Sequence, residues 1–344
     1  MAPTSVRETK FLKNVIVIGG AGYCGSILVP QLLDEGYNVT VFDIMWYGKD
    51  FLPLDNPNLK VIQGDVRDTA KVAEALQGQD TVLHLACISN DASFDLDEAL
   101  STTVNLDSFE PIVIAAKAAG VKRFVFASSS SVYGVSDQPD VTEDHPLLPV
   151  SLYNKFKGMC EPLLFKHTDD NFVGVVFRPA TVCGYGPRQR LDVSVNILTN
   201  HAINKGKITV FGGEQMRPNL HIQDYCDACK LLMTAPAEKV ANERFNVGFQ
   251  NMSIIDIAKT VKAVVEETYP DKGDIPIVIT ESNDKRSYHI NSEKIKTQLG
   301  FKPQHTVEDA VRDLCQAFEA GKLPNSFDDD KYYNIRTMQA IGAK

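Results

Sequence analysis

The stretch Asn14-Val-Ile-Val-Ile-Gly-Gly-Ala-Gly-Tyr-Cys-Gly25-Ser26 constrains this chain more than any other. Val15 to Ile18 is an unbroken apolar run, the pattern of a strand buried on both faces of a parallel sheet. Glycines follow at 19, 20, 22 and 25, and Ile27-Leu28-Val29 then opens a helical pattern. In a strand–turn–helix context, Gly20-x-Gly22-x-x-Gly25 reads as a dinucleotide fingerprint. One glycine makes the turn, one lets the pyrophosphate approach the backbone and one packs helix on strand. The helix N-terminus then offers unpaired N–H groups and partial positive charge to the pyrophosphate. The next predicted strand, Tyr37 to Asp43, ends in an acid about 20 residues on. A carboxylate there accepts the adenosine ribose hydroxyls and repels a 2′-phosphate, and no Arg or Lys follows until Lys49. The expected cofactor is NAD.

Further along, predicted strands and helices alternate. Leu59 to Val66, Asp80 to Cys87, Val121 to Ser128 and Val173 to Pro179 read as strands, and Thr69 to Leu76, Asp95 to Ala119 and Tyr153 to His167 as helices. Alternation of this kind predicts an α/β fold with a Rossmann-type, doubly wound parallel sheet. The remainder predicts a smaller mixed α/β C-terminal lobe. It has helices at Val193 to Asn204, Ile222 to Thr234, Ile254 to Glu267 and Val307 to Ala320, and β-like runs at Ile208 to Gly213 and Ile275 to Thr280. The expected division is residues 1–180 for the NAD-binding domain, with segments near 214–250 returning to it, 181–320 for a substrate lobe and 321–344 for a tail. The tail is acidic at Asp328 to Asp330 and then carries Tyr332, Tyr333 and Met338, so it reads either as a docking arm or as a frayed end.

Bulk properties exclude several classes. A net charge of −9 without a long basic run leaves no electrostatic footprint for nucleic acid. No apolar run approaches the ~20 residues that span a bilayer, so no membrane partner is expected. Met1 to Lys13 is charged without an apolar core and reads as a short lead-in rather than a secretory signal. Seven scattered cysteines suit buried thiols in a reducing cytoplasm. Cys226-Asp-Ala-Cys229 lies in a helical pattern with no second pair at zinc spacing, so no metal is expected.

The strand at Val121 to Ser128 runs into Ser128-Ser-Ser-Ser131, at the strand end where ligands bind in such sheets. Tyr153 and Lys157, four apart, share one face of the following helix. A phenol titrates near pH 10 and is a poor base at neutrality. A neighbouring ammonium favours the phenolate and brings it into working range, while a serine hydroxyl opposite holds the substrate oxygen.

With these motifs the chain resembles an extended short-chain dehydrogenase/reductase of the NAD-dependent epimerase/dehydratase family, whose members act on nucleotide sugars. The resemblance also takes in Gly64-Asp65-Val66, His84-Leu-Ala86, Asn105, Arg178-Pro179, Arg217-x-x-x-His221 with Asp224, and Arg286-Ser-Tyr288. It implies Ser129, Tyr153 and Lys157 as the catalytic set. It implies cofactor contacts from Gly19, Gly22, Tyr23, Cys24, Asp43, Asp65, Val66, Leu85, Ala86, Asn105, Tyr153, Lys157 and Pro179. Asn105 matches a helix asparagine that maintains a water link to the active lysine. Substrate contacts are expected from Ser130, Ser131, Thr181, Arg188, Arg190, Arg217 and Arg286, with Arg217 gripping the substrate diphosphate. A homodimer is the expected assembly.

Departures from the family pattern narrow the reaction. The 4,6-dehydratases carry Asp-Glu directly after the active hydroxyl, where this chain has Ser130-Ser131. Thr181 stands where an asparagine is common, and Glu281 where many epimerases carry an arginine. The expected function is a nucleotide-sugar epimerase that oxidises and re-reduces a sugar hydroxyl, at C4, through a keto intermediate. A dehydrogenase or ketoreductase that releases its keto-sugar uses the same residues and remains an alternative. A 4,6-dehydratase or a non-catalytic NAD-binding protein is less favoured.

Overall fold

The computed structural model describes residues 12–89, 93, 96–136, 138, 140–281 and 287–343. The first half alternates β1 (Asn14–Ile18), α1 (Gly25–Asp34), β2 (Asn38–Asp43), β3 (Leu59–Gln63), α2 (Thr69–Ala75), β4 (Thr81–His84), α3 (Glu98–Thr102), α4 (Phe109–Ala118), β5 (Arg123–Ala127), α5 (Leu152–Phe165) and β6 (Val173–Pro179). The second half contains β7 (Thr181–Cys183), α6 (Ser194–Lys205), β8 (Ile208–Phe211), β9 (Met216–His221), α7 (Ile222–Thr234), α8 (Ala237–Val240), β10 (Glu243–Val247) and β11 (Gln250–Ser253). It ends with α9 (Ile254–Thr268), β12 (Ile277–Thr280), α10 (Glu293–Leu299), α11 (Val307–Glu319) and α12 (Asn334–Ala340).

Seven parallel strands form one sheet in the order β10-β6-β5-β4-β1-β2-β3. The chain steps outward from β1 to β3, then returns across β1 to β4 and continues outward the other way. That reversal leaves a crevice at the C-terminal ends of β1 and β4, where Ile18 pairs with His84. Successive strand residues serve opposite faces. Val15 and Val17 pack with Leu28, Val29 and Leu32 of α1, whereas Ile16 and Ile18 pack with Phe109, Ile112 and Val113 of α4. Both faces are covered, which is why the strand reads as continuously apolar.

The smaller sheets are a three-stranded β11-β9-β7 and a two-stranded β12-β8. They pack with α6, α9 and α11 around Val195, Ile208, Val261 and Val311. β10 extends the large sheet beyond β6. β9, with sequence Met-Arg-Pro-Asn-Leu-His, carries a proline, and β10, Glu-Arg-Phe-Asn-Val, has two apolar residues in five, so neither shows the apolar run that would announce a strand.

The helix predicted from Asp95 to Ala119 is corrected by the structure: Asp95 lies outside the described residues, and the rest breaks into α3, a π-turn at Thr103–Asp107 and α4. Pro111 has no N–H to donate to the Asp107 carbonyl, so the ladder cannot continue. The slack is taken up by a wide turn, Ser108 N–H to the Thr103 carbonyl at 3.1 Å. The tail is not frayed over its described residues. Tyr332 and Tyr333 are buried against Leu191, Leu314 and Leu323, and Met338 against Ile88 and Leu100. All seven cysteines are free thiols, and no metal-holding cluster of His, Cys, Asp or Glu occurs among the described residues.

Candidate active site

A cleft of about 330 Å³ runs along the C-terminal strand ends. One end is built from backbone. Gly19 has φ of +88°, and a Cβ there would lie 2.5 Å from the Ala86 nitrogen; a Cβ on Gly25 would lie 2.3 Å from the Gly20 carbonyl oxygen. Only glycine fits these positions. Asp43 points its carboxylate back into the turn, accepting from Ala21 N–H at 3.0 Å and Met45 N–H at 2.8 Å. Burial pushes this carboxyl up, and the two N–H groups and the Arg188 charge only partly offset that. Tyr23 and Cys24 line the same wall. Burial raises the Tyr23 phenol well above its usual range and pushes the Cys24 thiol up to about 12, so neither is a nucleophile at neutral pH. Asp65 and Val66 line the cleft beyond Asp43. Asp65 takes Arg67 as a partner, Nη2 to Oδ2 at 2.6 Å. A glycine cradle too tight for any Cβ, with a carboxylate beyond it, fits an adenine dinucleotide.

The other end is built from side chains. β5 delivers Ser129, whose hydroxyl lies 2.7 Å from that of Ser131. Ser131 O–H donates to Asn154 Oδ1 at 2.5 Å. A hydroxyl has one hydrogen, so the Ser131 oxygen accepts from Ser129 O–H in this arrangement. Ser151 caps α5 by accepting from Asn154 N–H, which starts the helix where Tyr153 and Lys157 face the cleft. Lys157 is buried, donates to the Ala127 carbonyl at 2.7 Å and lies 5.0 Å from the Phe126 ring centroid. Beneath the serines, Glu161 accepts from Ser128 and from Arg178 through both carboxylate oxygens, a buried pair closed at 2.6 Å.

Most residues singled out in the sequence meet in this one cleft. They are Gly19, Gly22, Tyr23, Cys24, Asp43, Asp65, Val66, Leu85, Ala86, Ser129, Ser130, Ser131, Tyr153, Lys157, Pro179, Thr181, Arg188 and Arg190. Asn105 and Arg217 do not line it. The Asn105 side chain clamps Ile88, accepting from its N–H at 2.8 Å and donating to its carbonyl at 2.9 Å. The Arg217 guanidinium lies 5.8 Å from the ring centroid of Tyr288, which does line the cleft. Glu281 is exposed, and Arg286 lies outside the described residues. Sequence reasoning missed Tyr47, Asn154 and Asn334, and named Tyr288 within a motif without giving it a role; all four line the cleft. Adjacency to Tyr153 was a signal for Asn154; the sequence around Asn334 carried none.

A dinucleotide cradle and a Ser–Tyr–Lys set on one parallel sheet define a short-chain dehydrogenase/reductase. Within that class, the chain belongs to the NAD dependent epimerase/dehydratase family, whose model matches residues 15–248. It is 30% identical over 325 residues to the UDP-glucose 4-epimerase of Lactobacillus helveticus, covering 87% of this chain and 94% of that one. It is 28% identical over 317 residues to the dTDP-D-glucose 4,6-dehydratase of Mus musculus, covering 88% and 87%. The solved structure of MoeE5 in complex with UDP-glucose and NAD superposes with a TM-score of 0.76 at 26% identity, covering 90% of this chain and 99% of that one.

Proposed function

We propose that the protein is an NAD-dependent nucleotide-sugar epimerase that oxidises and re-reduces a sugar hydroxyl at C4. One observation carries the choice within the family. Among the described residues, the only carboxylates lining the cleft are Asp43 and Asp65, both at the glycine-turn end. Elimination of water from a sugar needs an acid and a base beside the reacting carbons, and the serine end offers hydroxyls and an amide instead. Oxidation followed by reduction at one carbon needs only a single proton acceptor that becomes the donor.

Tyr153 is that group. Its phenol takes the proton from the sugar hydroxyl and gives it back, helped by the ammonium of Lys157 one helical turn on. Ser129 turns its hydroxyl from Ser131 to the substrate oxygen and holds it while charge develops. Asn154 assists: its Oδ1 fixes the Ser131 hydroxyl, and its buried Nδ2 has no hydrogen-bond partner among the described residues and remains available to a sugar oxygen. NAD, when bound, supplies the hydride acceptor and donor. Arg217 grips the substrate diphosphate across Tyr288.

The test is a panel of nucleotide sugars followed by NMR, with absorbance of reduced nicotinamide monitored alongside. The epimer is expected to form without build-up of reduced cofactor. Stoichiometric reduction with release of a keto-sugar would establish the dehydrogenase reading, and a 4-keto-6-deoxy product the dehydratase one.

A further inference from the structure

Arg188 belongs to the loop after β7, on the side of the cleft that the smaller lobe contributes. Its surroundings are those of the glycine turn. Its backbone N–H donates to Ser26 Oγ, in the first turn of α1, at 3.2 Å. Its guanidinium lies over the Tyr47 ring, 3.7 Å from the centroid, and its charge acts on Asp43. It is 4% exposed, yet no carboxylate pairs with it among the described residues. Asp43 is occupied by two backbone N–H groups, and Asp192 is taken by Arg190 at 2.7 Å and by Asn334 N–H at 2.9 Å. The Arg188 partners are neutral: Nη2 donates to Asn334 Oδ1 at 2.6 Å, and Nε–H has no hydrogen-bond partner among the described residues. Burial accordingly pushes the guanidinium down to about 10. A buried cation lacking a counter-charge is strongly unfavourable unless an anion joins it.

We propose that Arg188 is a ligand of the dinucleotide's pyrophosphate, held in place by Asn334 of the chain's own C-terminal helix. The proposal rests on the NAD-dependent reading and adds a second jaw to the cradle. Backbone N–H groups of α1 approach the pyrophosphate from one side. The Nε–H edge of Arg188, a planar fork suited to phosphate oxygens, approaches from the other. Asn334 is a positioning residue. Its Nδ2 donates to Ser89 Oγ at 2.8 Å, so it ties the loop after β4 to the loop that carries Arg188. Leu191 N–H to the Tyr332 carbonyl, at 2.9 Å, and Met338 against Ile88 and Leu100 anchor the strap on both sides. The C-terminal segment thus contributes Asn334 to the lining of the cleft and packs on both of these loops. That arrangement suits a cofactor that is regenerated within each turnover and need not leave. It also frees Arg217 for the substrate's own diphosphate.

The experiment compares full-length wild type, Arg188→Gln, Arg188→Lys, Asn334→Ala and Asn334→Asp by calorimetry. The ligands are NAD, ADP-ribose, adenosine and uridine diphosphate. Arg188→Gln is expected to weaken NAD and ADP-ribose by about 10- to 100-fold, the range of a hydrogen bond to a charged group. Adenosine and uridine diphosphate should bind as they do to wild type. Arg188→Lys, which keeps charge but not the fork, should fall between, and it serves if Arg188→Gln does not fold. Asn334→Ala should weaken NAD binding, whereas Asn334→Asp, which keeps the acceptor for Arg188, should hold NAD much better. Unchanged NAD affinity in both Arg188 variants, a parallel loss of adenosine, or a loss confined to uridine diphosphate each overturns the proposal. Wild type that binds no NAD would instead overturn the functional reading on which it rests.

Discussion

The two ends of the cleft are built by opposite means. At the glycine turn, construction is by backbone: Gly19 and Gly25 admit no side chain, and Asp43 is aimed by N–H groups of Ala21 and Met45. At the serine end it is by side chains, with Ser129, Ser131 and Asn154 linked hydroxyl to hydroxyl to amide over a buried Glu161–Arg178 pair. A backbone site fails when something is added, because there is no space and no alternative φ. A side-chain relay fails when something is removed, because each partner is oriented by the next. Substitutions should therefore separate the two ends by ligand as well as by size of effect.

The largest effect is expected for Tyr153→Phe, which removes only the acid/base oxygen. Turnover should fall roughly 10²–10⁴-fold while NAD affinity stays at the wild-type value. Ser129→Ala should lose more activity than Ser131→Ala; the reverse order would move the substrate oxygen one step along the relay. Steady-state rates with calorimetric NAD affinities check both.

Next comes Glu161→Gln, which strips the charge that Arg178 meets at 2.6 Å and Arg244 at 2.9 Å. Breaking one partner of a buried pair costs about 3–5 kcal/mol. Urea unfolding of this variant should show a lower midpoint with an unchanged slope. An unaffected midpoint would mean that the serine end does not depend on its buried side chains.

Gly19→Ala tests the opposite end. With φ at +88° and the added carbon 2.5 Å from the Ala86 nitrogen, the turn must shift. Strain of about 1–2 kcal/mol is expected from the left-handed backbone alone. NAD affinity should drop accordingly, by about tenfold or more. Retention of wild-type affinity in calorimetry would contradict a backbone-built cradle.

The smallest effect joins the two ends. His84 closes β4 just before Leu85, is buried among Phe109, Phe124 and Phe126, and has both ring nitrogens without a partner among the described residues. Burial first, and the Lys157 charge second, hold it down at about 3. The folded protein keeps it neutral, whereas the unfolded chain takes up a proton below about pH 6.5. Its contribution to stability is therefore full above that pH and is lost as pH falls towards the folded value, by up to about 1.4 kcal/mol per pH unit. In His84→Leu the acid limb of stability against pH should flatten by one proton; an identical limb in both proteins would assign the acid sensitivity elsewhere.

Much of this protein is legible from local repetition. Strand, turn and helix at residues 14–34, the acid closing β2, the serines closing β5 and the Tyr153–Lys157 spacing all lie within one or two elements, where backbone periodicity dictates which side chains share a face. The family resemblance drew on these short stretches and on others, such as Gly64-Asp65-Val66 and Arg217-x-x-x-His221. Other features were decided only by folding. Pro111 and the π-turn broke a helix that apolar periodicity alone extends. β9, interrupted by Pro218, and β10, with only Phe245 and Val247 apolar, are held by pairing to neighbouring strands. Arg188 belongs by position in the chain to the smaller lobe, yet it meets Asn334 across 146 residues of sequence, and Asn334 meets Ser89 across 245. Loop-to-loop contacts of that kind follow no period. They arise where packed cores bring strand ends together, so the sequence determined the glycine turn and the acid after it, while tertiary structure alone decided that Arg188 and Asn334 lie beside them.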